Sequence, residues 1–285
     1  IIDLRLRVFI SDYLTAKKLN QLAQKSKQKV LIHLKIDTGM HRLGVLVSEA
    51  KDLITELKKL ENLSLEGIAT HFATADEETK KMYFRKQLKA FQDLLKELKK
   101  NGIKFPLIHS ANSAALLETK NSHFDLVRPG LAIYGYYPNV SSKKKCLQRK
   151  IKLLPALTWK TRVSLVKTIP AQSYVGYGAT FRTVNKTKIA VLPVGYYDGF
   201  DRRLSNRGFV LIKGKRVPVR GRVCMNMIIV EVNKIRNIFQ GEEVVLLGQQ
   251  GKEEITVEEL AKACNTIDDE IIARLRETIP RYIVK

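Results

Sequence analysis

The sequence has 285 residues, of which 45% are hydrophobic and 28% are charged. A chain of this length and composition can bury one large core or two ordinary ones, which excludes an intrinsically disordered protein. No stretch approaches the roughly 18 uninterrupted apolar residues of a membrane-spanning helix, so no membrane partner is predicted.

The charge balance is strongly basic, with 51 Lys and Arg against 28 Asp and Glu, giving a formal net charge of +23. Such an excess can indicate nucleic-acid binding. Here the lysines are scattered, and basic patches with interleaved aromatic residues are absent from the sequence, so no nucleic-acid partner is predicted. A basic surface would favour an anionic small molecule.

The three cysteines, Cys146, Cys224 and Cys264, are far apart and lack metal-ligand spacing. They predict no metal site. They also fit a reducing compartment, so the expected location is cytoplasmic.

Residues 1–145 alternate short apolar strands with amphipathic helices. The clearest helix is predicted over residues 77–100, with Asp76 as its N-cap and Gly102 at its C-terminal stop. Its apolar face carries Leu88, Phe91, Leu95 and Leu98. Strands are predicted at residues 6–10, 30–36, 65–70, 106–109 and 124–127. This alternation predicts a parallel sheet covered by helices.

An open doubly wound sheet and a closed eight-stranded barrel both fit this alternation. The chain begins at Ile1, and its opening residues read as a strand in progress. A complete barrel runs to about 250 residues, so a barrel would here lack about a hundred residues at its front. Five of eight strands cannot close, and exposed sheet edges favour aggregation.

The pattern changes after residue 145. Residues 141–145 read as a solvated linker, and residues 146–285 as a mostly β domain. Gly214 predicts a tight hairpin turn within residues 213–216. Thr256 and Glu259 have the spacing of a capping box at the start of a late helix. Strands are predicted at residues 157–168, 188–194, 208–212, 217–219, 227–232 and 243–247.

Polar residues follow four of the predicted strands, where barrel enzymes place their chemistry. The strand predicted at residues 30–36 ends in a turn that carries Arg42. Another ends at His71, which taken alone is better explained as a structural histidine. Ser113 opens a helix whose exposed amides suit an anion, although an N-cap role explains it equally well. Arg128 and Gly130 follow the last predicted strand of this half.

Seven segments carry a resemblance to a known family. Residues 33–44 resemble the arginine-bearing loop of alanine racemases, which use pyridoxal 5'-phosphate (PLP) to interconvert L- and D-alanine. Residues 67–73, 108–115 and 125–135 resemble consecutive cofactor segments of that family. Residues 176–181, 193–196 and 221–225 resemble three further motifs. The similarity covers essentially the whole chain, in the order of the family.

The resemblance implies a fold and an activity. Residues 1–145 would be about strands 4 to 8 of a PLP-binding (β/α)8 TIM barrel, followed by a C-terminal β domain at 146–285. About 95–100 residues would be missing from the barrel's front. The implied enzyme is a homodimeric racemase that supplies D-alanine for peptidoglycan.

The resemblance also implies a two-base mechanism. Tyr177, delivered from the neighbouring subunit, would be one base, and the PLP-linked lysine would be the other. A tyrosine with its ordinary pKa of about 10 is a poor base at neutral pH. A cationic network in which His71 is linked to Arg128 would therefore assist it. Arg128 would also face the pyridine nitrogen, and because arginine has no acceptor that nitrogen would stay unprotonated.

The remaining implied roles concern the phosphate and the substrate. Ser113, Gly130 and Leu131 match phosphate contacts. Arg42 matches a residue near the substrate carboxylate and the cofactor phenolate. Met225 matches a backbone contact to that carboxylate, and Tyr196 would line the same pocket. Lys35 falls where many members of the family carry a carbamylated lysine.

Three departures leave alternatives open. The PLP lysine of the family would lie upstream of Ile1, so this chain alone is expected to be inactive. Asn226 replaces a usual aspartate, and Asp269 stands where a tyrosine usually contacts the phosphate. A racemase of another amino acid such as serine and a decayed non-catalytic PLP-binding protein therefore remain alternative interpretations.

Overall fold

A computed structural model of the protein describes residues 1–284. Its contacts divide the chain into two compact units, Ile1–Leu154 and Pro155–Lys285. Among the described residues, no helix is long and apolar enough to cross a membrane.

The first unit is built on parallel strands. In the sheet β1–β2–β4–β5, every neighbouring pair is parallel, and the short β3 pairs with β2. The elements of this unit, in chain order, are β1 Val8–Ile10, α1 Tyr13–Lys25, β2 Val30–Asp37, β3 Val45–Leu46, α2 Ala50–Leu57, β4 Leu63–Ala69, α3 Lys81–Lys100, β5 Leu107–His109, α4 Ser113–Glu118 and α5 Val140–Gln148.

The core of this unit lies between the sheet and its helices. Ile32, Leu34 and Ile36 of β2 are fully buried, so β2 is a central strand covered by other residues on its apolar face. Helix α3 adds Phe91, Leu94 and Leu98 to the same cluster, at the spacing of one helical face. Parallel strands set in this way bring their carboxyl ends to one edge of the sheet.

The first four predicted strands of this half are confirmed, but two details are wrong. Residues 124–127 do not form a strand; only Leu126 makes an isolated parallel bridge, to His109. Asp76 is not the N-cap of α3, because a 3₁₀ turn at Glu78–Lys80 precedes the helix, which begins at Lys81. The helix ends as predicted, with Gly102 in the left-handed region at φ +75°.

The predicted linker at residues 141–145 is a helix. Asn139 caps α5 by accepting a hydrogen bond from the Ser142 backbone N–H at 2.7 Å, and Ser142 and Cys146 are buried on one face. Lysines occupy only the opposite faces of that helix. The division between the two units therefore falls after Leu154, beyond the predicted boundary at residue 145.

The second unit is mostly antiparallel. One sheet has the order β10–β9–β12–β13 with β6 beside β12, and a second has the order β11–β8–β7. Its elements are β6 Trp159–Arg162, β7 Leu165–Ile169, β8 Thr187–Leu192, β9 Phe209–Ile212, β10 Lys215–Pro218, β11 Ile228–Glu231, β12 Glu243–Gln250, β13 Glu253–Ile255, α6 Val257–Cys264 and α7 Asp268–Ala273.

Most predictions for this unit are confirmed at the level of elements. The hairpin of β9 and β10 turns through Lys213 and Gly214, both at positive φ, as a two-residue turn requires. Thr256 caps α6 through the Glu259 backbone N–H, but the Glu259 carboxylate binds Arg216 instead of completing a capping box. The single strand predicted at 157–168 is two strands in different sheets, and β13 was not predicted.

Candidate active site

The turn that follows β2 is organised by the Asp37 carboxylate. Its Oδ1 accepts hydrogen bonds from the backbone N–H groups of Gly39 and His41, at 2.9 and 3.0 Å. Burial opposes ionisation of this carboxyl, but the hydrogen bonds from His41 and Gly39 outweigh burial and lower its pKa. Gly44 closes the turn at φ +131°, where a Cβ would lie 2.7 Å from the Asp37 nitrogen. The turn places Arg42, which is exposed, at the carboxyl end of β2.

Lys35 is the only buried lysine among residues 1–284. Its Nζ lies 5.2 Å from the centre of the Phe9 ring. Burial, followed by the charges of Arg128 and Arg42, lowers the pKa of Lys35 to about 7. A substantial fraction of its amine is therefore neutral and nucleophilic at neutral pH.

The Arg128 guanidinium is held by groups at the ends of β4 and β5. One terminal nitrogen donates to His109 Nδ1 at 2.7 Å, and the other donates to the carbonyl oxygens of Thr70 and Ser110 at 2.8 and 3.2 Å. His71 Nδ1 lies 3.4 Å from this second nitrogen. The structure therefore brings Arg128 and His71 into contact.

His71 does not carry the charge of this cluster. Burial, followed by the charges of Lys35, Arg128 and Arg42, lowers the pKa of His71 to about 4. His71 is thus neutral at neutral pH. The positive charge that the resemblance implied around His71 belongs to the arginines.

Ser113 is not the N-cap of α4. Asn112 caps that helix by accepting from the Ala115 N–H at 3.1 Å. The Ser113 hydroxyl oxygen instead accepts from the backbone N–H groups of Gly130 and Ala132, at 2.9 and 3.2 Å. No atom lies within 4 Å of a Cβ placed on Gly130, so the backbone here faces open space. Leu131 begins the 3₁₀ turn that follows and is buried.

These groups fit PLP. The Ser113 hydroxyl hydrogen and the Leu131 backbone N–H can donate to a phosphate, and Gly130, whose own N–H donates to Ser113 Oγ, leaves room for it. Arg128 offers a donor to a ring nitrogen, and the charges of Arg128 and Arg42 suit an anion.

Three further polar residues on the strands of this sheet were not predicted as site residues. His33 and His109 are buried on neighbouring parts of the sheet, and Glu66 contacts His33. The sequence carried a signal for them, because a histidine interrupts the apolar run of β2 and a glutamate interrupts that of β4.

The other predicted site residues lie in the second unit. Tyr177, Tyr196 and Met225 line one cavity of about 420 Å³, and the side chains of these three residues are exposed. The turn at Tyr196 packs on the Met225 segment, since the Tyr196 N–H donates to the Cys224 carbonyl at 3.0 Å. A Cβ on Gly195 would lie 2.2 Å from that carbonyl oxygen, so only glycine permits this approach.

The two unusual residues, Asn226 and Asp269, are exposed and also lie in the second unit. Asp269 belongs to α7, beside Asp268. Burial, followed by the charges of Glu258 and Asp269, raises the pKa of Asp268 to about 6.

A parallel, helix-covered sheet with arginines at the carboxyl ends of its strands, followed by an antiparallel β unit, defines a two-domain enzyme with an anionic ligand. Two family models match the chain: the alanine racemase N-terminal domain at residues 1–138 and the alanine racemase C-terminal domain at residues 156–283. The chain belongs to the alanine racemase family of PLP-dependent isomerases. The N-terminal model matches from residue 1, which does not support the expectation that the N-terminal part of the family is absent.

Individual relatives agree with this assignment. An alanine racemase of Halothermothrix orenii is 43% identical over 267 residues, which cover 94% of this chain and 69% of that protein. The crystal structure of an alanine racemase from D-cycloserine-producing Streptomyces lavendulae has a TM-score of 0.91 at 34% identity, covering 100% of this chain and 74% of that one. An alanine racemase from Bartonella henselae, described with covalently bound pyridoxal phosphate, has a TM-score of 0.79 at 28% identity and covers 97% and 72% of the two chains.

These structures confirm the fold class. The first unit has the strand arrangement of a (β/α)8 barrel and the second is a β domain, so the doubly wound alternative is wrong.

Proposed function

We propose that this chain carries the PLP pocket of an alanine racemase at the carboxyl ends of β2, β4 and β5. The observation that carries the proposal is the Arg128 guanidinium, which hydrogen bonds hold in place two residues before Gly130. The Gly130 backbone N–H in turn donates to the Ser113 hydroxyl oxygen. In this assignment Ser113, Gly130 and Leu131 hold the phosphate. Arg128 donates to the ring nitrogen, and His71 lies against Arg128.

When bound, PLP delocalises the electron pair left by removal of the α-proton of alanine. Arg128 has no acceptor, so it donates to the ring nitrogen without protonating it, which limits the electron sink and suppresses side reactions. Arg42 neutralises the substrate carboxylate. Tyr196 and the Met225 backbone, which line one cavity with Tyr177, would contact that carboxylate in the pocket of a second subunit. The substrates are L- and D-alanine.

Tyr177 serves as the base on one face of the substrate. Its side chain is 72% exposed, which suits a residue that acts in the pocket of a second subunit. A residue acting in trans requires a homodimer. We therefore propose that the active protein is dimeric, with each subunit giving Tyr177 to its partner.

Lys35 serves to position Arg42. Its lowered pKa leaves a neutral amine, whose nitrogen would bond to the carbon of carbon dioxide and release one proton to solvent. The resulting carbamate would be an anion beside two arginines. A mass increase confined to the peptide containing Lys35, lost in Lys35→Gln, would support carbamylation. An unmodified Lys35 in protein kept at high bicarbonate would contradict it.

The lysine that forms a covalent link to PLP in this family has no match among the residues assigned above. Lys35, the single buried lysine of the described chain, matches the carbamylated position and not the PLP lysine. We propose that the 285-residue chain binds PLP without that link and does not by itself racemise alanine. Robust D-alanine formation by the pure chain with PLP would contradict this. In the cell the D-alanine would serve peptidoglycan, and the three free cysteines suit the cytoplasm.

The binding half of the proposal is tested by titrating PLP and following its absorbance. Ser113→Ala should weaken binding about ten-fold, because it removes a hydrogen bond to a charged group. Ser48→Ala, at an exposed serine, is the matched control. Equal affinity in the two variants would exclude the phosphate site.

The catalytic part of the proposal is tested with Tyr177→Phe, which requires a form of the protein that racemises alanine. We expect turnover in one direction to be lost while PLP affinity stays unchanged. Parallel loss of both would remove Tyr177 as the base. Comparing kcat/KM for alanine and serine in the same assay separates the alanine racemase from a serine racemase.

A further inference from the structure

A continuous line of hydrogen bonds runs from Arg128 across neighbouring strands of the sheet to Arg7. Arg128 donates to His109 Nδ1 at 2.7 Å, and His109 Nε2 lies 2.7 Å from His33 Nδ1. His33 Nε2 lies 2.9 Å from Glu66 Oε2, which also accepts from Arg7 at 2.7 Å. We call these five residues the relay.

The direction of the relay is fixed by its two ends. An arginine can only donate, so His109 Nδ1 must accept and the proton of neutral His109 lies on Nε2. His109 then donates to His33 Nδ1, which leaves the His33 proton on Nε2, facing Glu66. A carboxylate can only accept, so the order from Arg128 to Glu66 has one polarity throughout. Burial, followed by the charges of Arg128 and His33, lowers the pKa of His109 to about 3, which keeps His109 neutral.

The backbone of β4 is shaped to hold the relay. Ile32 pairs with Leu65, but the next residue, His33, pairs with Gly67, so Glu66 is an extra residue in the β4 strand. An irregularity of this kind re-aims a side chain at the site of the extra residue. A Cβ on Gly67 would lie 2.6 Å from His33 Nδ1, so the imidazole occupies the space that a side chain would take.

One aromatic side chain covers the two histidines. The Phe9 ring stacks on His109 at 5.7 Å between centres and meets His33 edge-on at 6.2 Å. The side chain of His33 is 8% exposed and that of Glu66 is 16% exposed, whereas that of Arg7 is 56% exposed. The bond between the two histidines is therefore shielded from water, and Arg7 is far more exposed than His33 or Glu66.

We propose that Glu66 is a positioning residue for Arg128, acting through the one-way relay of His33 and His109 to hold the guanidinium toward the cofactor ring. The assignment of the ring to Arg128 rests on the proposed function. The relay itself depends only on the hydrogen bonds of this chain. Glu66 supports the same two tautomers from the other end of the relay by accepting from His33 Nε2, and a His109 acceptor held in place leaves Arg128 one orientation.

The test uses Glu66→Leu, which removes the acceptor, and Glu66→Gln, which keeps an acceptor but removes its charge. Glu56→Gln, at an exposed glutamate of α2 paired with Lys59, is the control. The readouts are the imidazole nitrogen signals of His33 and His109 by NMR, and the PLP dissociation constant. In Glu66→Leu the nitrogen signals of both histidines should shift, because the His33 Nε2–H loses its acceptor. PLP should bind about ten-fold more weakly, because a hydrogen bond to a charged group is misaligned.

Glu66→Gln should restore most of the affinity while shifting both histidine signals. Should Glu66→Leu fail to fold, this variant carries the test. A shift at His33 with no shift at His109 would overturn the relay. Shifts at both histidines with unchanged PLP affinity would overturn the positioning role. If the unaltered protein does not bind PLP, the proposed function fails, and the His109 and Arg128 signals still decide whether the relay holds the guanidinium.

Discussion

At the scale of single residues, the pocket keeps its histidines neutral and its arginines charged. The ordinary pKa of histidine is about 6.5, whereas the pKa values of His71 and His109 lie near 4 and 3 because burial and neighbouring cations disfavour their protonation. Arg128 is partly buried as well, and burial lowers its pKa. An arginine nevertheless stays protonated, so the donor that we propose for the ring nitrogen is permanent.

This arrangement predicts an acid-sensitive first unit. Between the ordinary histidine pKa and the folded values, the unfolded chain binds more protons, so the free energy of unfolding falls as the pH drops from about 6.5 toward 4. The melting temperature should fall by about 2–4 °C for each kcal/mol lost. Thermal unfolding across this range should be less pH-dependent in His71→Asn than in the unaltered protein. Identical slopes in the two proteins would contradict the burial of a neutral His71.

At the scale of elements, helix α5 is fixed by the Glu118 carboxylate at the end of α4. The side chain of Glu118 is 8% exposed and accepts from Lys81 and Lys145, at 3.0 and 2.8 Å, and from Ser142. Burial raises the pKa of Glu118, but the hydrogen bonds from Lys145, Ser142 and Lys81 outweigh it. One buried carboxylate therefore joins α3, α4 and α5.

Glu118→Ala should destabilise the first unit by about 1–3 kcal/mol, because it leaves buried donors unpaired. Glu78→Ala is the control, since Glu78 pairs with Lys145 at the surface and such pairs contribute little. Urea unfolding of both variants measures the difference. Equal stability in the two would mean that α5 is held by its buried Ser142 and Cys146 face alone.

The turn that carries Arg42 requires glycine at position 44 for two reasons, the positive φ angle and the lack of space for a Cβ. Gly102 shares only the positive φ angle, so a comparison of the two positions separates these effects. Both Gly44 and Gly102 have positive φ, but a Cβ has open space at Gly102 and would clash with Asp37 at Gly44. Gly102→Ala should cost about 1–2 kcal/mol, from backbone strain alone. Gly44→Ala should cost more and also weaken PLP binding through displacement of Arg42. Equal costs would show that the turn absorbs the clash.

The elements show what a sequence can and cannot reveal. Apolar runs located β2, β4 and most strands of the second unit, since burial itself creates those runs. Helix α5 was predicted as a linker because its sequence is rich in lysine and its buried face consists only of Ser142 and Cys146. The relay joins residues 7, 33, 66, 109 and 128, which become neighbours only when β1, β2, β4 and β5 align. The extra residue at Glu66 leaves no local pattern in the sequence.

At the scale of the whole molecule, the charge of +23 bears on the proposed dimer. Two such subunits repel each other, and the screening distance falls from about 30 Å at 0.01 M salt to about 8 Å at 0.15 M. An interface that brings Tyr177 into a partner's pocket must offset this repulsion with apolar contact, and Tyr177, Met225 and Met227 are exposed apolar side chains around one cavity.

The dimer should therefore strengthen as salt is added. Sedimentation at a fixed protein concentration should show a larger dimer fraction at 0.15 M than at 0.01 M salt, since screening weakens repulsion but leaves apolar burial in place. Met225→Lys, which adds charge at the cavity, should lower the dimer fraction most at low salt. Dissociation of the dimer by salt would instead mean that ion pairs hold the interface. A monomer that racemises alanine would show that Tyr177 acts within its own subunit or not at all.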